Sequence, residues 1–271
     1  MTSQTIALIL EPDQLQEMLD NKNLLIIDLC QASVYERIHI PGAVHVSPSE
    51  LISGIPPATG KLPSDEKLNA LFSRLGYDKD KHIVAYDDEG GGWAGRFLWT
   101  LDLIGHQHYS YLNGGIHAWH NEGHPTTSDP VVITPNDTKV SVNRSLIADL
   151  DEVMAQIPDE NSIVWDARSP EEFQGLRGDA MRRGHIPGAV NLDWLEAMDA
   201  GKNYRLLPIE TLREKLDAIG ITKDKRVITH CQTHHRSGLT YLVGKALGLN
   251  IKAYDGSWSE WGNRDDTPIE T

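Results

Sequence analysis

Short apolar, β-branched runs alternate along this chain with segments whose apolar residues recur at helical spacing. Leu24-Leu-Ile-Ile-Asp28, the Ile-Val-Ala of Asp80–Asp87, Ser162-Ile-Val-Trp-Asp166 and Val227-Ile-Thr229 read as buried strands. Ser64–Leu75, Ile209–Ile219 and Ser237–Leu247 read as helices. Gly76 and Gly220 follow the first two, where a left-handed residue ends a helix. Strands alternating with helices predict an α/β fold in which a mainly parallel sheet is flanked by helices.

The pattern occurs twice. His39-Ile-Pro-Gly-Ala-Val44 recurs letter for letter as His185-Ile-Pro-Gly-Ala-Val190. Around it Leu24–Asp28 matches Ser162–Asp166, Asp80–Asp87 matches Asp224–Cys231, and Tyr111–Trp119 matches Ala253–Trp261. Between the copies, His124–Pro130 and Pro135–Asp137 are rich in breakers and lack periodicity. The expected organisation is therefore an N-terminal domain over 1–124, a linker over 125–142 and a C-terminal domain over 143–271. His39 and His185 occur in both copies and are read as structural.

Composition narrows the function. With 271 residues and 39% hydrophobic content the chain is a globular protein, and its formal charge of −14 argues against nucleic acid and anionic membrane as partners. Two cysteines, Cys30 and Cys231, make a disulfide framework unexpected and fit a reducing compartment. Ile6–Leu10 is too short and lacks the basic flank of a signal peptide, and no apolar run approaches the ~18–20 residues of a membrane span. These features point to the cytoplasm.

The candidate chemistry lies in Cys231-Gln-Thr-His-His-Arg-Ser237, a tight loop between a strand and a helix. Unpaired backbone N–H groups and the helix dipole favour an anion there, and such settings lower a cysteine pKa. Arg236 adds a fixed positive charge. A strand-ending cysteine is ordinarily a packing residue, as Cys30 is read here, but packing does not call for His230, His234, His235 and Arg236 alongside it. Zinc is not expected, because His234 and His235 are adjacent and no second cysteine is near in sequence. In the first copy Asp87 stands in place of Cys231, and its loop, Asp87-Asp-Glu-Gly-Gly-Gly92, is acidic without a nucleophile. Only the second copy carries Arg177, Arg182 and Arg183 ahead of its repeated histidine. The C-terminal domain is thus the expected catalytic one.

The repeated His-Ile-Pro-Gly-Ala-Val, the strand-ending Asp28 and Asp166 and the loop beginning at Cys231 resemble the two-domain rhodaneses, the thiosulfate:cyanide sulfurtransferases. The likeness spans essentially the whole chain, and the Cys-Gln-Thr-His-His-Arg loop resembles a bacterial branch. It implies two tandem rhodanese-like domains, the first non-catalytic, and double displacement without metal, nucleotide or organic cofactor. The Cys231 thiolate takes the outer sulfur of thiosulfate, and the persulfide passes it to cyanide or a thiol. Gln232, Thr233, His234, His235, Arg236 and Ser237, with Arg168 and Arg177, are the implied substrate-binding residues, and Asp166 orients Arg168 or the loop. Trp258 and Trp261, near the C-terminal end of the sheet, are expected either to line or support the cleft or to pack in the core. Many relatives have an arginine, thought to hold the donor's anionic end, where this chain has Glu172. Three alternatives stay open: a 3-mercaptopyruvate sulfurtransferase, a sulfur carrier delivering persulfide sulfur to a partner protein, and a cysteine phosphatase. Against the last, four residues rather than five separate Cys231 from Arg236, a smaller ring that suits one sulfur better than a tetrahedral phosphate.

Overall fold

A computed structural model describes residues 6–271; residues 1–5 of the expected N-terminal domain lie outside the described residues. The chain forms two compact units. One comprises residues through Leu51, Ser64–Val142 and Asp199–Leu206; the other comprises Ile52–Pro63, Asn143–Met198 and Leu207–Thr271. A short stretch of each sequence half is thus built into the unit of the other half.

Each unit is organised around a five-stranded sheet. The first contains β1 (Ile9–Leu10), β2 (Leu24–Asp28), β3 (Val44–His45), β4 (His82–Tyr86) and β5 (Tyr109–Leu112), in the order β1-β5-β4-β2-β3. The second contains β6 (Ile147–Ala148), β7 (Ser162–Asp166), β8 (Val190–Asn191), β9 (Arg226–His230) and β10 (Asn250–Tyr254), in the order β6-β10-β9-β7-β8. The two orders are the same, and every pairing in both sheets is parallel. Near-continuous burial of β2, β4 and β9 follows from helices packed against the sheets.

The helices form for the reasons legible in the sequence. Asp65–Arg74 is capped by Ser64, whose hydroxyl accepts the Lys67 N–H at 3.3 Å. Ile209–Ala218 is followed by Gly220 at φ +84°. Arg236–Leu247 is buried along most of its length, as a helix apolar nearly all round must be. The histidines of the repeated motif do the same work twice. His39 lies 2.7 Å from the Tyr35 carbonyl and stacks on that ring, while His185 lies 2.8 Å from the Phe173 carbonyl and stacks on Phe173. Among the described residues no helix or ladder strand lies between Asn121 and Arg144; Asn136 and Val140 fasten this segment to Ser73 and Asn69 of the first unit.

In the second sheet the chain reverses its direction of travel between β7 and β9. Ligands of open parallel sheets bind outside the carboxyl ends of the strands at such a point. Register sets His230 opposite Asp166, so Cys231 is the first residue beyond that edge.

The stretch 52–63 constrains the same edge. Lys61 pairs with Glu260 at 2.5 Å, and the Leu62 N–H donates to Asp255 at 2.8 Å. A Cβ on Gly60 would stand only 2.0 Å from the Thr233 carbonyl oxygen, so backbone meets backbone there. We expect Gly60→Ala to cost about 1–3 kcal/mol of stability by overpacking. Thermal unfolding checks this, and a midpoint equal to the parent's would show that the contact yields freely.

Candidate active site

Cys231 is buried at the end of β9, and the loop after it is held from outside. Its carbonyl accepts the Trp258 N–H, and that of Gln232 accepts the Ser259 N–H, both at 2.9 Å. Because C=O and N–H of a trans peptide point opposite ways, these anchors turn the Gln232 and Thr233 N–H groups away from the Ser257–Trp261 helix. The loop closes through His234, a non-glycine residue at φ +55°, a strained conformation of the kind found at functional sites. His234 is buried, with Nδ1 2.7 Å from Ser237 Oγ, and that hydroxyl lies 3.5 Å from Cys231 Sγ. A hydroxyl that donates to sulfur can accept from His234 Nδ1–H, so the contacts form a directed chain ending on Sγ.

The first unit shows what a loop of this length can hold. Asp87 occupies the position of Cys231, and its Oδ1 accepts the N–H groups of Glu89, Gly90 and Gly91 at 3.2, 3.1 and 2.8 Å. Its Oδ2 accepts that of Ala94 at 3.0 Å. The backbone therefore makes an anion cradle, filled in this unit by its own carboxylate. Burial pushes the Asp87 carboxyl up to about 6 even so.

Electrostatics at Cys231 run the other way. Burial raises its pKa, but the Arg236 guanidinium, the Ser237 hydroxyl and N–H, and His235 outweigh burial and hold the thiol below its ordinary value. Burial in the first unit pushes the Cys30 thiol well up, with Asp28 and Asp88 adding to the effect. Arg236 is itself gripped: Nη1 and Nη2 donate to Glu172 Oε2 and Oε1 at 2.6 and 2.9 Å. Behind the loop, burial raises the Asp166 carboxyl, yet His230 and Arg168 bring it below the usual range. Arg168 contacts both Asp166 oxygens, donates to the Gly184 carbonyl at 2.8 Å and lies over the Trp258 ring at 4.3 Å. Burial lowers the His230 pKa, which favours the neutral ring, and Nδ1–H donates to the Cys231 carbonyl at 3.1 Å.

The structure brings Cys231, Gln232, Thr233, His234, His235, Arg236 and Ser237 together as one loop, with His235 edge-on to Trp194 at 5.4 Å. Asp166 does contact Arg168, but Arg168 is 1% exposed and its contacts are all internal. Arg177 is largely exposed at the rim, 3.1 Å from Ser169 Oγ. Arg182 ties down the C-terminal segment through the Thr267 carbonyl at 2.9 Å. Trp258 and Trp261 are buried in the second core, with Trp258 carrying Arg168. The sequence does not show the roles of Gly60, Ser257 or Ser259, whose contacts join distant segments, and marks Glu172 only as a departure from a pattern. Among the described residues no cluster of three His, Cys, Asp or Glu side chains is placed to hold a metal ion, and no helix is long and apolar enough to cross a membrane.

Comparison with known proteins agrees with this geometry at several depths. The chain is 46% identical over 267 residues to a thiosulfate sulfurtransferase of Azotobacter vinelandii, covering 98% of each. It is 32% identical to a sulfur carrier protein of Thermus thermophilus, covering 95% of this chain and 94% of the relative. Among solved structures, SseA from Escherichia coli, described as a 3-mercaptopyruvate sulfotransferase, superposes with a TM-score of 0.82 at 27% identity, covering 93% of this chain and 99% of that one. The rhodanese-like domain model matches twice, at residues 11–122 and 149–264. A sequence that repeats itself, folded as two sheets of one strand order with a loop of the same length after the fourth strand of each, thus belongs to the rhodanese-like family.

Proposed function

We propose that the protein is a thiosulfate sulfurtransferase working through a Cys231 persulfide. The observation that carries this reading is an acidified thiol at the mouth of a loop whose counterpart holds an anion with four backbone N–H groups. The name of the Azotobacter relative supports the same donor. The Cys231 thiolate attacks the outer sulfur of thiosulfate, a new S–S bond forms, and sulfite departs with the electrons of the old one. The terminal sulfur of the persulfide carries negative charge, which the loop N–H groups, Ser237 and Arg236 stabilise. Cyanide or a small thiol then attacks that sulfur and releases the thiolate, giving ping-pong kinetics. In this reading the second unit is catalytic and the first is not, since Asp87 offers no nucleophile and fills its own cradle. The name of the Thermus relative, a sulfur carrier protein, supports a second reading in which the persulfide carries sulfur onward. Two free cysteines fit the reducing cytoplasm.

Intact-mass measurement tests the proposal directly. Thiosulfate should add one sulfur atom to the protein, cyanide should remove it, and Cys231→Ser should take up none while Cys30→Ala behaves as the parent. Thiocyanate formation that survives Cys231→Ser would end the proposal.

The acidity of Cys231 gives a second expectation. Thiolate formation governs alkylation, so the rate of Cys231 alkylation by iodoacetamide should reach half its maximum below the ~8.5 of a free cysteine. Arg236→Gln removes the positive charge that favours the thiolate. Its midpoint should therefore move to higher pH, and sulfur transfer should fall on the order of 10- to 1000-fold. A midpoint unmoved by the substitution would remove Arg236 from the account.

A further inference from the structure

Glu172 is the third residue of the four-residue Pro170–Phe173 helix and takes part in a capping box. Its Oε2 accepts the Ser169 N–H at 3.2 Å while its own N–H donates to Ser169 Oγ at 3.3 Å. The carboxylate is thereby bent back over the helix start and is only 9% exposed. From that fixed position it takes both terminal nitrogens of Arg236, at 2.6 and 2.9 Å, in the planar two-pronged geometry that makes such pairs specific. The end-on face of the one guanidinium that acts on Cys231 is occupied by a side chain of the protein itself.

The space beside this pair is a cleft of about 310 Å³ lined by Glu172, Arg177, Gly178 and Asp179. Two carboxylates and one arginine line it. An anionic donor is served by this arrangement according to where its charge lies. Thiosulfate carries its oxygens on the atom next to the sulfur being moved, so its charge stays at the loop. A thiol donor such as 3-mercaptopyruvate carries its carboxylate several bonds away, where it projects outward and needs a free guanidinium. Glu172 has already taken the guanidinium of Arg236, pairs with that of Arg177 at 3.7 Å, and presents like charge to the ligand, an arrangement that rejects it by repulsion.

We infer that Glu172 is a positioning and specificity-determining residue, which holds Arg236 at the Cys231 loop and withholds it from donors whose anionic end is a remote carboxylate. The inference rests on the sulfurtransferase reading and names the feature that sets its donor class. Glu172→Gln is the test, because glutamine preserves the capping box and the shape of the contact while removing the charge and one of the two acceptors. Steady-state rates are measured side by side on the full chain with thiosulfate and with 3-mercaptopyruvate, cyanide being the acceptor. The ratio of kcat/KM for 3-mercaptopyruvate to that for thiosulfate should rise on the order of tenfold or more, mainly through a lower KM for 3-mercaptopyruvate. Glu171→Gln, an exposed neighbour on the same helix, should leave the ratio unchanged. A ratio unmoved in Glu172→Gln, an equal loss with both donors, or the same shift in Glu171→Gln overturns the inference. The parent's mass gain at Cys231 separates the two levels. If the parent gains sulfur and the ratio stays flat, only the role of Glu172 fails; if it gains none from either donor, the sulfurtransferase reading fails as well and takes the inference with it.

Discussion

Backbone N–H groups crowded into the turn between a parallel strand and the helix behind it need an acceptor, and the rest of the site is arranged around that need. The requirement comes from geometry: a helix start leaves donors without intrahelical partners, and a short loop adds more of them facing the same way. In the first unit the donors converge on the Asp87 carboxylate. In the second the same connection surrounds a thiol, with the outward carbonyls of Cys231 and Gln232 pinned by Trp258 and Ser259. Backbone donors alone do not offset burial at this position, as the raised Asp87 carboxyl shows.

Side chains then decide how acidic and how accessible the sulfur is. Burial opposes ionisation of Cys231, and only charge and hydrogen bonding close to Sγ overcome it. Two ion pairs share the work without duplicating it. Arg168 with Asp166 is fully enclosed, bonded to Gly184 and covered by Trp258, and it braces the sheet edge. Arg236 with Glu172 sits at the rim, joined through Ser169 to a short helix and next to Arg177. A buried pair of the first kind is expensive to break because either partner alone is an uncompensated charge. In the second kind the arginine keeps a partly exposed side while its carboxylate partner is nearly buried.

Much of this was legible in the sequence because it is local or repeated. The letter-for-letter recurrence at His39 and His185, the β-branched runs and the glycine stops identify two like units and their strands, and Asp87 against Cys231 identifies the half with a nucleophile. What escaped is non-local. Arg168 looks like an anion ligand in sequence, yet register and the Trp258 ring enclose it. Arg182, in sequence only one member of a basic cluster, is spent on Thr267. Glu172 stands out in sequence only as a departure from the arginine of many relatives, and nothing in one dimension shows that its carboxylate meets a guanidinium from a distant helix. Gly60 belongs by sequence to the first copy, and only the exchange of the 52–63 stretch brings it against Thr233.

Asp87 has a further consequence, best put in terms of competition. A group tethered by its own backbone is present at an effective concentration of about millimolar or higher, and it pays no entropy of association. A diffusing anion that sought the first cradle would have to displace a carboxylate already aligned with four N–H donors. The first loop is thus filled by its own side chain against free ligand at concentrations below about millimolar. Duplication of the fold has doubled the architecture, and the first copy's cradle keeps its own occupant.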